Sequence, residues 1–186
     1  MDTTALIVLI VAGAVLSIAL LGAVVWRQRE RQRSRDLRRG FGPEYDRTLE
    51  EAGDRRRAEG ELSARQERVG KLKLRDLTTE DRERFRSGWA DAQSHFVDDP
   101  SGALRDSDAL IEEVMRARGY PVDDFDQRAA DLSVEHGDVI EHYRAAHAVA
   151  ERPAGKALTE DMRQAMLHYR ALFDDMLAVP AARRAS

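Results

Sequence analysis

The chain opens with an uninterrupted apolar run, residues 5–25, in which Ser17 is the only hydroxyl residue and no residue is charged. A helix of 21 residues rises about 1.5 Å per residue and so matches the ~30 Å hydrocarbon layer of a bilayer. Trp26 follows where an indole favours the membrane interface. Residues 1–26 are therefore predicted to form a transmembrane anchor.

A glycine- and proline-containing segment, residues 40–43, interrupts the chain after this region, because such residues disfavour a helix interior. We predict a basic juxtamembrane segment and hinge over 27–42. A charged helical stalk follows over 43–76, where apolar positions are sparse and charged residues occur at i,i+4 spacing. The expected pairs are Glu51 with Arg55, Glu61 with Arg65, and Glu67 with Lys71.

Residues 77–179 show helical periodicity and predict a small helical bundle. Thr78 has the features of an N-cap, with Asp81 three residues later. Gly119 followed by Tyr120 and Pro121 is typical of a helix C-terminus. The clearest apolar stripe lies in the last predicted helix, at Met162, Met166, Tyr169, Leu172, Phe173 and Met176. No alternating run is long enough for a strand, so the fold class is predicted to be all-α, with a disordered tail at 180–186.

Charge is distributed unevenly along the chain and predicts its orientation. Residues 27–39 hold seven arginines against two acidic residues, whereas the chain from residue 40 onward holds 23 basic and 31 acidic residues. The positive-inside rule therefore places the C-terminal domain in the cytoplasm and the N-terminus outside the cell membrane. The acidic body argues against nucleic-acid binding. The arginines form a predicted patch for anionic lipid headgroups, with Trp26 as interface anchor: Arg27, Arg29, Arg31, Arg33, Arg35, Arg38 and Arg39.

A cleaved signal peptide is the alternative interpretation of the N-terminal run, and it would give a secreted or envelope-facing domain. No lysine or arginine precedes the run, and the run exceeds the usual 7–15-residue apolar core of a signal. Both features favour an uncleaved anchor. Gly13 and Ser17 are spaced so that two such helices could approach closely, although small residues are common in membrane helices in any case, and a coiled coil of the stalk would have gaps in its heptad seam at Arg56 and Glu59. A homodimer is therefore an alternative that the sequence leaves open.

Candidate chemistry is sparse. The chain has no cysteine, which excludes disulfides and thiolate sites. The five histidines lack Glu-x-x-His or His-x-x-x-His spacing, so we predict no metal site and no cofactor. The aspartate pairs at 98–99, 123–124 and 174–175 are interpreted as helix-end residues rather than catalytic carboxylates. Tyr143 and His147 share one helix face and are expected at the edge of the core.

Two stretches carry a family resemblance. They are residues 40–47, Gly-Phe-Gly-Pro-Glu-Tyr-Asp-Arg, and residues 116–125, Arg-Ala-Arg-Gly-Tyr-Pro-Val-Asp-Asp-Phe, together with Gln-Arg-Ala-Ala-Asp-Leu at 127–132. The chain resembles a family of uncharacterised actinobacterial single-pass membrane-anchored proteins, some of which are labelled secreted proteins. The resemblance extends over nearly the whole chain and implies an anchored helical protein, but it implies no activity.

The sequence therefore predicts a non-enzymatic, membrane-tethered adaptor or scaffold that binds a protein partner at the cytoplasmic face of the membrane. The alternative from another class is an enzyme or ligand-binding domain that uses carboxylates of the bundle. Inward-facing carboxylates that converge on a pocket would favour this alternative.

Overall fold

A computed structural model describes the backbone of residues 3–153 and 156–178, and the side chains of this range from Leu20 onward. These residues form eight α-helices and no strand, which confirms the predicted all-α class for the part of the chain described. The helices are α1 (Thr3–Phe41), α2 (Pro43–Ala52), α3 (Arg55–Gly70), α4 (Thr79–His95), α5 (Pro100–Arg118), α6 (Phe125–Leu132), α7 (Ile140–Ala150) and α8 (Thr159–Ala178). The chain divides into two compact units at the boundary between Arg39 and Gly40.

The first unit consists of most of α1, which continues without a break through the predicted anchor and the basic segment. Large apolar side chains near its middle are exposed, among them Leu21 and Trp26, at 66% and 59%. Within the residues whose side chains are described, no helix is long and apolar enough to cross a membrane. Residues 5–19, most of the predicted anchor, lie outside that description, as does the predicted tail over 180–186.

The second unit begins where the predicted interruption lies. Gly42 has φ +53°, a left-handed conformation that favours glycine, and α2 starts at Pro43 as predicted. A Cβ atom on Gly42 would stand 2.7 Å from Asp138 Oδ1, so the position also lacks room for a side chain. The preceding Phe41 is fully buried.

Residues 43–70 differ from the solvated stalk that their charge predicts. They form two helices that pack on each other, and α3 also packs on α6. Besides Glu59, the buried side chains of α3 recur at helical spacing: Ala58, Leu62, Arg65 and Val69. This stripe is narrow and contains an arginine, which is why a hydrophobic pattern did not reveal it.

The main core lies among α4, α5, α7 and α8, where α8 packs against both α5 and α7. The stripe predicted for the last helix faces this core, and Tyr169, Leu172 and Met176 are fully buried. Trp89 of α4 stacks on Phe173 with 4.9 Å between ring centroids. Offset aromatic pairs of this kind add about 0.5–1.5 kcal/mol to the burial of their area.

Helix ends follow the sequence signals closely. Thr78 and Asp81 form a capping box at the start of α4, and Gly119 ends α5 with φ +94°. Asp99 and Asp124 cap α5 and α6 by accepting hydrogen bonds from backbone N–H groups. The third aspartate pair is an exception, because it lies inside α8 rather than at a helix end; its Asp175 instead contacts His136.

Candidate functional site: an arginine-lined cleft

A cleft of about 550 Å³ opens between α2, α3, α6 and α7. Its walls alternate positive and negative side chains, and alanines are its only aliphatic lining residues. The lining residues are Arg47, Glu51, Glu61, Ala64, Arg65, Arg68, Asp124, Asp126, Gln127, Ala130 and Arg144. Such a surface is suited to a charged partner rather than to an apolar one.

Glu44 organises one side of the cleft from the first turn of α2. Its side chain is fully buried, and its Oε1 accepts hydrogen bonds from Arg65 Nη1 at 2.7 Å, Arg47 Nη2 at 2.9 Å and Arg144 Nη2 at 2.9 Å. Its Oε2 accepts from Arg47 Nε at 2.9 Å. One carboxylate thus joins guanidinium groups from α2, α3 and α7.

The arginines fix the charge of this carboxylate. Burial alone would raise the pKa of Glu44, but hydrogen bonds and charge from Arg47, Arg144 and Arg65 outweigh burial and lower its pKa to about 2. The hydrogen bond from Arg47 to Glu44 in turn raises the pKa of Arg47. The neighbouring Glu141 behaves in the opposite way, because burial and the Glu44 carboxylate raise its pKa.

Asp131 organises the other side of the cleft from α6. Its side chain is fully buried, and its Oδ1 accepts from Arg68 Nε at 2.7 Å, Arg68 Nη2 at 2.5 Å and Gln127 Nε2 at 2.9 Å. Arg68 remains 41% exposed, so its guanidinium group is held on the buried carboxylate while one side faces solvent. Both donors of the Arg68 guanidinium group converge on this one oxygen, and the other carboxylate oxygen, Asp131 Oδ2, has no hydrogen-bond partner of standard geometry among the described residues.

Sequence reasoning did not assign the residues of the cleft to a functional site. Of the three predicted intrahelical pairs, Glu61 with Arg65 and Glu67 with Lys71 are present. Glu51 contacts Arg47 rather than Arg55, because α2 ends at Ala52 and the chain turns before α3. The available signal was Arg65 itself, a charged residue in register with the apolar stripe of α3.

The residues that sequence reasoning did assign to a site lie on α1 and not in the cleft. The seven arginines of the predicted lipid patch, Arg27, Arg29, Arg31, Arg33, Arg35, Arg38 and Arg39, are all exposed. Trp26, the predicted interface anchor, directly precedes Arg27 and is also exposed. They belong to the first unit of the chain, whereas the cleft belongs to the second.

A second polar cluster lies inside the bundle around Asp108 of α5. Arg128 Nη2 is 3.7 Å and His147 Nδ1 is 3.9 Å from Asp108 Oδ2. Tyr143 and Tyr169 are fully buried, and burial together with the charge of Asp108 raises the pKa of both phenols. Neither hydroxyl has a hydrogen-bond partner of standard geometry among the described residues. Both residues were expected at the edge of the core; Tyr143 lies fully buried within it, and His147 is partly buried.

The histidines form separate contacts. His142 and His168 face each other with 2.8 Å between their Nδ1 atoms, and burial followed by the charge of His142 lowers the pKa of His168. His136 Nδ1 lies 2.5 Å from Asp175 Oδ2, and His147 stacks on a phenylalanine ring. In the described part of the chain, no three side chains of the metal-binding types come together.

No protein-family model matches the chain, and searches of curated proteins and of solved structures give no match either. The chain's own residues and their geometry are therefore the basis for assigning it a function.

Proposed function

We propose that the protein is a single-pass, membrane-tethered helical adaptor whose arginine-lined cleft binds a protein partner at the cytoplasmic face of the membrane. The observation that carries the proposal is the cleft itself, in which two buried carboxylates hold four arginines in fixed positions: Arg47, Arg65, Arg68 and Arg144.

The charges at the centre of the cleft suit binding better than proton transfer. A general acid or base works best when its pKa is near the operating pH. Glu44, with a pKa of about 2, stays ionised at neutral pH, and guanidinium groups stay protonated. These groups therefore present constant charge to whatever enters the cleft.

The chemistry of the lining favours a protein as the occupant. Arginine is enriched at the energetic centres of protein interfaces, where it combines long apolar stems with directional donors. Because Glu44 already holds Arg65 and Arg144 in place, little side-chain entropy is lost when a partner docks. The adjacent Glu51, Glu61 and Asp126 favour a partner segment that carries both signs of charge.

The membrane tether rests on the uncharged run and its flank. Residues 5–25 have the length and composition of an anchor, and Leu20, Leu21, Val24 and Val25 are exposed on α1. The exposed arginines that follow suit anionic headgroups. Membership of the actinobacterial membrane-anchored family and pairing of two copies are part of the same proposal.

Site-specific photo-crosslinking tests the adaptor function. A photoreactive phenylalanine analogue replaces Ala64, an exposed lining residue of the cleft, in the full chain expressed in its native cell. The matched control replaces Ala90, which is exposed on α4. We expect one discrete crosslinked protein from position 64 and a lower yield after Arg68→Gln. Equal products from both positions, or none from position 64, would contradict the proposal.

Topology is tested with single cysteines, because the chain has none of its own. Ser87→Cys places a thiol on an exposed position of α4, and Asp2→Cys places one before the apolar run. With a membrane-impermeant maleimide, we expect Ser87→Cys to react only after permeabilisation. Reaction of Ser87→Cys in intact cells would reverse the orientation and favour an envelope-facing or secreted domain.

A second candidate, a small-ligand or catalytic site, is favoured by the cluster around Asp108. Its carboxylate faces two buried phenols and His147, which is a convergence of inward-facing polar groups inside the bundle. Asp108→Asn would distinguish the two functions, since it leaves the cleft intact. Loss of the crosslink at position 64 in a folded Asp108→Asn chain would shift the functional centre to this cluster.

A further inference from the structure

The arginine-lined cleft holds more negative than positive charge, although arginines dominate its walls. Four arginines line it, whereas six carboxylates either line it or bind those arginines: Glu44, Glu51, Glu61, Asp124, Asp126 and Asp131. Charges act over about 8–10 Å at physiological salt, so the groups of one cleft act together on a molecule that enters it. The cleft as a whole should therefore attract a positively charged group.

The charge of the arginines is already compensated within the protein. Each of the four donates a hydrogen bond to the buried carboxylate of Glu44 or Asp131. Two of them, Arg47 and Arg65, are also paired with an exposed glutamate one turn away on their own helix. An acidic partner would have to compete with these carboxylates for the same guanidinium groups, so the arginines are poorly placed to attract it.

The arginines still have donors for uncharged acceptors. Arg65 lines the cleft with a side chain that is only 7% exposed, and no described residue accepts a hydrogen bond from its Nε. Nη1 of the half-exposed Arg68 is likewise without an acceptor in the described part of the chain. Carbonyl groups of a polypeptide segment would satisfy such donors without adding charge.

The acids of the cleft are more open to a partner than its arginines. Asp126 is exposed in the first turn of α6 and contacts no basic side chain of the described residues. Glu51 and Glu61 are 58% and 49% exposed, although each is paired with an arginine. Three exposed carboxylates from three helices thus line one cleft of about 550 Å³.

We propose that the segment of the partner that docks in this cleft is net basic, and that its lysine or arginine side chains pair with Asp126, Glu51 and Glu61. The inference rests on the proposed adaptor function and specifies the partner. Residues 40–186 carry the same sign of charge, with 31 acidic and 23 basic residues, which favours the approach of a basic partner over longer distances. Acidic side chains of the segment are secondary, because the arginines already have carboxylate partners.

Photo-crosslinking of labelled peptides tests this preference, with the full chain in phosphatidylcholine nanodiscs. The photoreactive residue at position 64 reports occupancy of the cleft and not binding to the arginines of α1. The probe is a short peptide of alternating lysine and serine, and its match alternates glutamate and serine. At about 50 mM salt we expect half-saturation at a concentration at least about tenfold lower for the lysine peptide, and a much smaller difference at about 0.5 M salt.

Matched double variants locate the charges responsible. Asp126→Asn with Glu51→Gln removes two exposed charges of the cleft and should raise the half-saturation concentration of the lysine peptide at least about fivefold. The control, Glu67→Gln with Asp174→Asn, removes the same charge from side chains outside the cleft that are 71% and 60% exposed. It should change the value less than about twofold, because distant exposed charges are screened. Circular dichroism checks that both variants are folded.

Three results would overturn the inference: no saturable crosslinking of the lysine peptide, equal or preferential crosslinking of the glutamate peptide, or equal losses in the two double variants. The adaptor function fails on a different result, the absence of a crosslinked cellular protein from position 64. If a cellular protein is crosslinked there and its crosslinked segment is net acidic, the adaptor function stands and the basic partner is wrong.

Discussion

Buried charged residues are the distinctive feature of this protein at the scale of the single residue. Glu44 and Asp131 have fully buried side chains; Glu44 accepts hydrogen bonds from three arginines, and Asp131 accepts them from Arg68 and Gln127. Taking a carboxylate out of water costs several kcal/mol, which its partners offset only with good geometry. Removing such a carboxylate leaves the arginine charges without compensation. The free energy of unfolding should therefore fall by more than it does when an exposed ion pair is broken.

Glu44→Gln tests this cost. At pH 7 we expect the free energy of unfolding to fall by about 3 kcal/mol, because Arg47, Arg65 and Arg144 lose their shared acceptor charge. The pKa of Glu44 in the folded chain, about 2, lies below the ordinary glutamate pKa of 4.5. Its stabilising contribution is therefore present above about pH 4.5 and disappears as the pH falls towards 2. Urea unfolding at pH 7 and pH 3 should show a smaller difference between wild type and variant at pH 3.

Glu61→Gln is the matched control, since Glu61 also pairs with Arg65 but its side chain is 49% exposed. We expect a change below about 0.5 kcal/mol at pH 7, because exposed ion pairs contribute little. Equal effects of Glu44→Gln and Glu61→Gln would mean that the buried carboxylate has no special role.

At the scale of the helix, the sequence determines ends better than it determines packing. The capping box at Thr78 and the left-handed Gly119 were predictable, because each depends on local backbone hydrogen bonds. The contact of Asp175 with His136 was not, because it joins residues 39 positions apart. The packing of α3 was hidden for another reason, since only its narrow stripe is apolar.

Glycine substitutions test this distinction between ends and interiors. Gly119→Ala should destabilise the chain by about 2 kcal/mol, because φ is +94° and a Cβ atom would stand 2.8 Å from the backbone oxygen of Lys73. Gly60→Ala should stabilise it by about 0.5–1 kcal/mol, because Gly60 is inside α3 with nothing within 4 Å of an added Cβ. Thermal unfolding of both variants should show a lower melting temperature for Gly119→Ala and a higher one for Gly60→Ala than for the wild type.

At the scale of the whole molecule, the all-α class follows from the lack of alternating runs, but the neighbours of each helix do not. Periodicity indicates which face of α8 is buried, and it cannot say that α5 and α7 cover that face. The cleft depends on such neighbours, because Glu44, Arg65 and Arg144 are distant in sequence and meet only in the fold. A site of this type lacks a sequence motif.

The boundary after Arg39 predicts that residues 40–186 fold without residues 1–39. We expect this fragment to unfold cooperatively in one transition with native-like helical circular dichroism. Phe41→Ala in the fragment should cost about 3–5 kcal/mol, because the ring is fully buried. Val97→Ala is the control, with a change within about 0.5 kcal/mol, because Val97 is 85% exposed. A fragment without a cooperative transition would mean that the second unit needs α1.

The two fragments 27–186 and 40–186 both lack the apolar run, and they differ only by the basic residues 27–39. Comparing them therefore isolates the electrostatic contribution of these residues to membrane binding. Each arginine near an anionic surface contributes about 1 kcal/mol. We therefore expect 27–186 to bind phosphatidylserine-containing vesicles at least about 100-fold more tightly than 40–186 at 0.1 M salt. At 1 M salt the Debye length falls to about 3 Å, and the difference should vanish in a vesicle sedimentation assay. Equal binding of both fragments at low salt would leave the arginines with a role in orientation alone, because the positive-inside rule acts during insertion and requires no later contact with lipid.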